Sequence, residues 1–192
     1  IDARLAAGLD EERLLASRAS QGDRQAYGTL YGQYVDKIYR YIYFKVGHRT
    51  EAEDLTSQTF LKAWDAIGDY EWRNHPFGAW LFRIAHHRAV SWLRQRPEST
   101  HSDFEDLGVP DAMTTDPEGQ AVEAWTVNQI QAVLGSLSSK HRAVLELAVF
   151  HDLPYTEIAQ VIQCPVGTVK SRVSYARRCL LQYLKNHGLN EF

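Results

Sequence analysis

Apolar residues recur at helical spacing along most of this chain, and strand-like alternation is weak throughout. The stretch GDRQAYGTLYGQYVDKIYRYIYFKV (22–46) places Tyr27, Leu30, Tyr31, Tyr34, Ile38, Tyr41 and Ile42 in i, i+3, i+4 steps, which predicts one long amphipathic helix. A shorter helix is expected before it, from about Glu11 to Ser20. RTEAEDLTSQTFLKAWDAI (49–67) predicts another, with Leu55, Thr59, Leu61 and Trp64 alternating with the acids Glu51, Glu53 and Asp54. PFGAWLFRIAHHRAVSWLRQR (76–96) predicts a third long helix. Leu81, Ile84, Ala85 and Trp92 form its apolar side, while Arg83, His87, Ser91 and Arg94 fall within roughly 80° on another side, with Trp80 among them. A basic face that holds an aromatic ring suits stacking on unpaired bases better than simple solvation.

The C-terminal pattern is more specific. PYTEIAQVIQ (154–163) reads as a short helix with Thr156 as N-cap, Glu157 in the first turn, and Ile158, Val161 and Ile162 as its core side. Small Ala159 leaves room for a neighbouring helix. Gln163, Cys164 and Pro165 then break the helix, and Pro165 suits the first position of the next. In that next helix Val169, Val173, Ala176, Leu180, Tyr183 and Leu184 lie within roughly 100° of arc. Lys170, Ser171, Ser174, Arg177 and Arg178 take the opposite side, and Thr168 and Arg172 stand at its margins. Helix, tight turn and basic helix make the helix-turn-helix pattern, whose second helix enters the major groove of DNA. Lys and Arg there anchor phosphates or read guanine edges, and Ser and Thr reach either.

Charge along the chain reconciles this with a net charge of −3. Residues 1–97 carry net +2, residues 98–118 net −7 and residues 119–192 net +2. The acidic segment, ESTHSDFEDLGVPDAMTTDPE, has Pro110, Pro117, Gly108 and no apolar periodicity, so it reads as a flexible linker between two helical domains, too acidic to lie on DNA. The fold class expected is therefore all-α: two small helical domains joined by an acidic flexible linker, the C-terminal one with a helix-turn-helix. Few contacts are expected to cross that linker.

At 192 residues and 44% hydrophobic the chain can bury one good core or two small ones. No apolar run reaches the roughly 18 residues of a membrane span, and the charged N-terminus argues against a signal peptide. The first residue is isoleucine rather than methionine, as expected of a trimmed start. Cys164 and Cys179, the only cysteines, have neither CxxC spacing nor a disulfide framework, which points to a reducing cytoplasm. His86 and His87 point roughly 100° apart on a helix and have no further ligand at useful spacing, so no metal is expected. No Ser-His-Asp order, Gly-rich phosphate loop or acid pair points to an enzyme, and no catalytic residue, cofactor or small-molecule substrate is expected.

Three stretches together carry a family resemblance: GDRQAYGTLYGQY with AEDLTSQTFLKAW, then FGAWLFRIAHHRAVSWLRQR, and finally LSSKHRAVLELAVFHDLPYTEIAQVIQCPVGTVKSRVSYARRCL. In that order they resemble the extracytoplasmic-function class of RNA polymerase sigma factors, over about Leu14 to Leu184. The resemblance implies a core-binding and −10 domain over 10–97, a linker over 98–118 and a −35 domain over 119–187. It places Asp54, Gln58 and Leu61 on the surface that docks on core polymerase. Tyr70, Trp72, Asn74, Trp80, Arg83 and His87 fall where relatives hold the opened −10 strand. Thr168, Lys170, Ser171, Arg172, Ser174, Arg177 and Arg178 fall on the −35 reader. The chain departs from the family with Ser57-Gln58 where Gln-Glu is usual, His87 where asparagine is common and Ser91 where aspartate is common.

The partners implied are core RNA polymerase, promoter DNA and an anti-sigma protein, often membrane-anchored, and the location implied is cytoplasmic. A free-standing helix-turn-helix regulator with a helical sensor domain would account for 138–184 but would leave the basic-aromatic helix at 77–96 without a role.

Overall fold

In the computed structural model the described residues are 2–72, 76–95, 137–149, 151 and 153–186, with side chains described from residue 8 onward except that of residue 184. Seven α-helices occupy them: α1 (Asp2–Ser20), α2 (Arg24–Val46), α3 (Arg49–Ala66), α4 (Phe77–Gln95), α5 (Ser139–Val149), α6 (Tyr155–Val161) and α7 (Val166–Asn186), with a 3-10 turn, Ile67–Asp69, after α3. No strand occurs among the described residues. The linker over 98–118 lies outside them, as does Asn74.

Local chemistry sets the helix ends. Asp23 caps α2 by accepting from the N–H groups of Gln25 at 2.9 Å and Ala26 at 3.0 Å, and Arg18 pairs with it at 2.7 Å. Gly47, at φ 72°, ends α2 in the left-handed region and donates to the carbonyl of Tyr43. α1 starts well before the Glu11 that its periodicity marks. α6 begins two residues earlier than expected, with Pro154 rather than Thr156 at its N-cap. Between α6 and α7, Gln163 takes φ 53° and the Cys164 N–H returns to the Ala159 carbonyl, closing the tight turn.

The N-terminal half packs α2 against α1, α3 and α4. Leu30, Ile38, Tyr41 and Ile42 of α2, Phe60 of α3, and Phe77, Leu81 and Phe82 of α4 form its centre. Close approach of α4 to α2 depends on Gly78, where a Cβ would stand 2.6 Å from the Tyr34 hydroxyl. The Gly78 N–H donates to Glu12 of α1 at 2.8 Å, so three helices meet at that residue. Leu61, which the resemblance puts on a docking surface, is 65% exposed.

The C-terminal half packs α7 against α5 and α6, with Leu137, Leu145 and Ala176 as a small core of its own. It does not stand apart. α6 lies directly on α4, and Val144, Leu147, Ile158, Ala159, Val161, Val169 and Val173 join the hydrophobic core of the N-terminal half. Burying one large apolar side chain contributes about 1.5–3 kcal/mol, so this seam is held mainly by apolar surface. The expectation of few contacts across the linker is therefore corrected: α6 lies on α4, and apolar side chains of α5, α6 and α7 join the core of the N-terminal half.

Glu157 of α6 sits at the seam, near Glu12 and Tyr34. Burial, and then the Glu12 carboxylate, push its pKa from an ordinary 4.5 up to about 7. A carboxyl with a raised folded pKa holds its proton more tightly when folded, so its stabilising effect is complete below pH 4.5 and lost as pH rises through 7. His86 works in the opposite sense. Burial, then Lys45 and His87, bring it from 6.5 down to about 4, so stability present above pH 6.5 is lost as pH falls toward 4. Glu157→Gln removes only the first effect. The variant is expected to gain on the parent chain in urea midpoint as pH rises from 4.5 to 7, and a constant difference over that range would contradict this assignment.

Candidate nucleic-acid interface

The wet face of α7 is strongly cationic, because the helix carries Lys170, Arg172, Arg177, Arg178 and Lys185 and no acid at all. Val169, Val173 and Ala176 bury the opposite side, which fixes the rotation of the helix. Lys170, Ser171, Ser174, Arg177 and Arg178 are exposed, as their spacing predicts. Thr168 and Arg172 are half-buried at the margin. Arg172 points an Nη1 at the Cys164 sulfur, 3.8 Å away, and so leans back over the turn. The Ser171 hydroxyl donates to the Thr168 carbonyl at 3.0 Å. Tyr175, which sequence reasoning passed over, is 44% exposed on this helix. Its ring lies 4.5 Å from the His141 ring, and the Arg178 guanidinium stands over it at 5.6 Å. A lone aromatic between basic residues was its signal.

The second face belongs to α4. Arg83, His87, Ser91 and Arg94 are exposed along it. Trp80 is half-buried and packs on Tyr70 at 5.0 Å and on Phe77 at 5.5 Å between ring centroids. Tyr70, Phe77 and Trp80 thus form one aromatic cluster where the chain enters α4, with Arg83 one turn further on. Burial, and then Glu12, push the Tyr70 hydroxyl above its ordinary range, so it remains a neutral donor. Trp72 is half-buried and packs against the core.

The third group lies on α3. Leu61 is exposed beside Tyr31, 44% exposed, and with Tyr27, Phe60 and Trp64 they line a shallow apolar groove. Asp54 and Gln58 do not join that groove. Gln58 donates to Asp54 at 2.5 Å and accepts from Arg88 of α4 at 2.7 Å. The three lie in a cleft between α3 and α4 that also holds His87 and Ser91. Trp92 of α4 donates to Glu51 of α3 at 2.8 Å and closes one side of the same seam. Arg88 had no sequence signal, since a single cation at the edge of a basic face looks solvated until its partner is known.

The three groups offer cations, hydroxyls, aromatic rings and an apolar groove. His86 is taken up by the Tyr41 hydroxyl at 2.7 Å, and among the described residues no cluster of three or more His, Cys, Asp or Glu side chains is placed to hold a metal ion. No described helix is long and apolar enough to cross a membrane.

Comparison with known proteins agrees in both halves. The family model for sigma-70 region 2 matches residues 30–97, and that for sigma-70 region 4 matches residues 128–180. The ECF RNA polymerase sigma factor BldN of Streptomyces coelicolor is 33% identical over 186 residues, covering 94% of this chain and 69% of that protein. The ECF RNA polymerase sigma factor SigW of Bacillus subtilis is 30% identical over 188 residues, covering 91% of this chain and 99% of that protein. Among solved structures, CnrH in complex with the cytosolic domain of CnrY superimposes with a TM-score of 0.70 at 25% identity, over 92% of this chain and 98% of that one. RpoE from Bartonella quintana, solved with the anti-sigma factor NepR, shares the fold at a TM-score of 0.66 and 24% identity, over 83% of this chain and 96% of that one.

Proposed function

Since the chain belongs to the ECF sigma factors of the sigma-70 family and directs transcription initiation, we propose that α7 reads the −35 element as duplex and that α4, with the aromatic cluster before it, holds the opened −10 strand. The observation that carries this reading is the presence, in one chain, of an acid-free basic helix and a second basic face that begins with a cluster of packed aromatic rings. A regulator that only binds duplex DNA needs the first and has no use for the second.

The division of labour follows from the side chains. Lys170, Ser171, Arg172 and Ser174 lie near bases or their flanking phosphates, and Arg177 and Arg178 nearer the backbone. Unstacking a base costs a few kcal/mol, which Tyr70, Trp72 and Trp80 offset by stacking, while Arg83 and His87 face the strand. Asn74 belongs to the same segment by its position in the sequence. Asp54, Gln58 and Leu61 dock on core polymerase, with Arg88 fixing the Gln58 amide. RNA synthesis remains the polymerase's chemistry, and the chain works where polymerase is, in the cytoplasm. The test of the whole reading is run-off transcription with purified core polymerase over a library of promoters.

Arg172→Ala is expected to weaken −35 binding by about 1–3 kcal/mol and to relax discrimination at one base pair, as the loss of a bidentate base contact does. An equal loss on every −35 sequence would demote Arg172 to a phosphate anchor.

A protein partner completes the reading. The exposed Leu61–Tyr31 groove is apolar surface that polymerase would cover, and CnrH, similar over almost its whole length, was solved bound to another protein. An anti-sigma protein is expected to cover this groove, the polymerase-facing side of the −35 domain, or both, and so to exclude polymerase. In a competition pull-down, increasing core polymerase should displace that partner; joint occupancy without loss of either refutes occlusion.

A further inference from the structure

Glu12 of α1 is a carboxyl group inside the N-terminal half. It is 9% exposed, and among the described residues no cation forms an ion pair with it. Two neutral donors take that place. The Gly78 N–H, second in α4, donates to it at 2.8 Å, and the Tyr34 hydroxyl of α2 donates to it as well. Burial, and then the Glu12 charge, push the Tyr34 hydroxyl far above its ordinary range, so it keeps its proton and remains a donor. Tyr70 lies near enough to be pushed up by the same charge, and Glu157 of α6 is the other carboxyl close by. A buried carboxylate is costly unless donors satisfy it, so Glu12 and its two donors hold one another in place.

Both donors flank Phe77. Gly78 follows it in the chain, and the Tyr34 ring packs on it at 5.8 Å between centroids. Phe77 is fully buried and seats the aromatic cluster, with Tyr70 at 5.9 Å and Trp80 at 5.5 Å from it. The Gly78 N–H is one of the first amides of α4, which have no partner inside the helix, and a negative charge there suits the positive end of the helix dipole. α1 also packs on the 3-10 turn Ile67–Asp69, which Tyr70 follows directly. It therefore braces the chain on both sides of the cluster, before Tyr70 and after Phe77. Rings receive a base well only when they are held to within about 0.5 Å, which packed helices supply and a free loop does not.

We propose that Glu12 is a positioning residue for −10 recognition: reaching from α1, its carboxylate sets the first turn of α4 and the Tyr34 ring, and through Phe77 the placement of Tyr70 and Trp80. The inference rests on the −10 reading of α4 given above. Being buried, Glu12 meets no base and acts only through the rings it holds. What matters is then the reach of its oxygen rather than its charge, and three substitutions separate the two. Glu12→Asp keeps the charge and, one methylene shorter, withdraws the oxygen from Gly78. Glu12→Gln keeps the reach without the charge, since its carbonyl accepts from Gly78 and its amide donates to the Tyr34 oxygen. Glu12→Ala removes the acceptor of both donors.

Each variant, assembled with core polymerase, is titrated with two probes taken from a promoter that the parent chain transcribes: a single-stranded oligonucleotide of the non-template −10 region and a duplex of the −35 element. Glu12→Ala and Glu12→Asp should bind the −10 strand on the order of tenfold more weakly than the parent, and Glu12→Gln close to the parent. All three should bind the −35 duplex as the parent does, whereas a general loss of folded protein lowers both probes together. Glu12→Asp at parent affinity with Glu12→Gln as weak as Glu12→Ala would make charge the cause and overturn the positioning role. Parent-like binding of the −10 strand by all three variants, or an equal loss on both probes, overturns it too. Should Glu12→Ala fail to fold, the comparison of Glu12→Asp with Glu12→Gln decides. Hydrogen exchange of the parent chain needs no variant: the Gly78 amide should be protected, and exchange as fast as that of an open helix end overturns the bond on which the role depends. If the parent complex itself ignores the −10 strand, the −10 reading fails, and protection of the Gly78 amide still reports whether Glu12 holds the start of α4.

Discussion

The buried hydroxyl of Tyr41 constrains much of this structure. Tyr41 is fully buried in the C-terminal part of α2, and burial holds its phenol protonated, so the O–H needs an acceptor. His86 Nδ1 supplies it at 2.7 Å, which requires a neutral imidazole protonated on Nε2. Burial and the Lys45 charge both disfavour imidazolium and secure that state near neutral pH. One hydrogen bond thereby fixes α4 against α2. The same ring seats Lys45, and Lys45 reaches across to Glu146 of the C-terminal half.

With α4 held in this way, its sides divide between three tasks. Leu81 and Ala85 face the core, Phe82 and His86 face the seam, and Arg83, His87 and Ser91 are left to solvent. α7 is arranged by the same logic, with Val169, Val173 and Ala176 turned inward and its cations outward. In both helices the exposed basic face is what remains after burial has taken the apolar positions. The packing core therefore determines which way each exposed basic face points.

How much of this was legible in the sequence depended on how local the determining interaction is. Helix periodicity and the turn at Gln163–Pro165 are set by neighbours in the chain, and the rotation of α7 could be read from Val169, Val173 and Ala176 alone. The exposed cations of α7 and α4 followed from the same rotations. Leu61 could be assigned to a surface only through the family resemblance, because a leucine at helical spacing has the same pattern whether it meets a core or waits for a partner. Tyr70 and Trp80 could be named, but their ring contact could not, since it depends on the 3-10 turn that redirects the chain after α3. Lys45, Arg88 and Glu146 gave no signal. Each is a single charge whose partner lies far away in sequence, and Glu146, between Leu145 and Leu147, breaks an apolar run without saying why.

The central claim is that one chain places two separate faces on two separate promoter elements. A photocrosslinking amino acid at His87 in one preparation and at Ser174 in another, each in an initiating complex with core polymerase, tests it most directly. The account predicts crosslinks from position 87 to the −10 region of the non-template strand and from position 174 to the −35 duplex. Crosslinks from both positions to the same element, or from position 174 to −10, would contradict it.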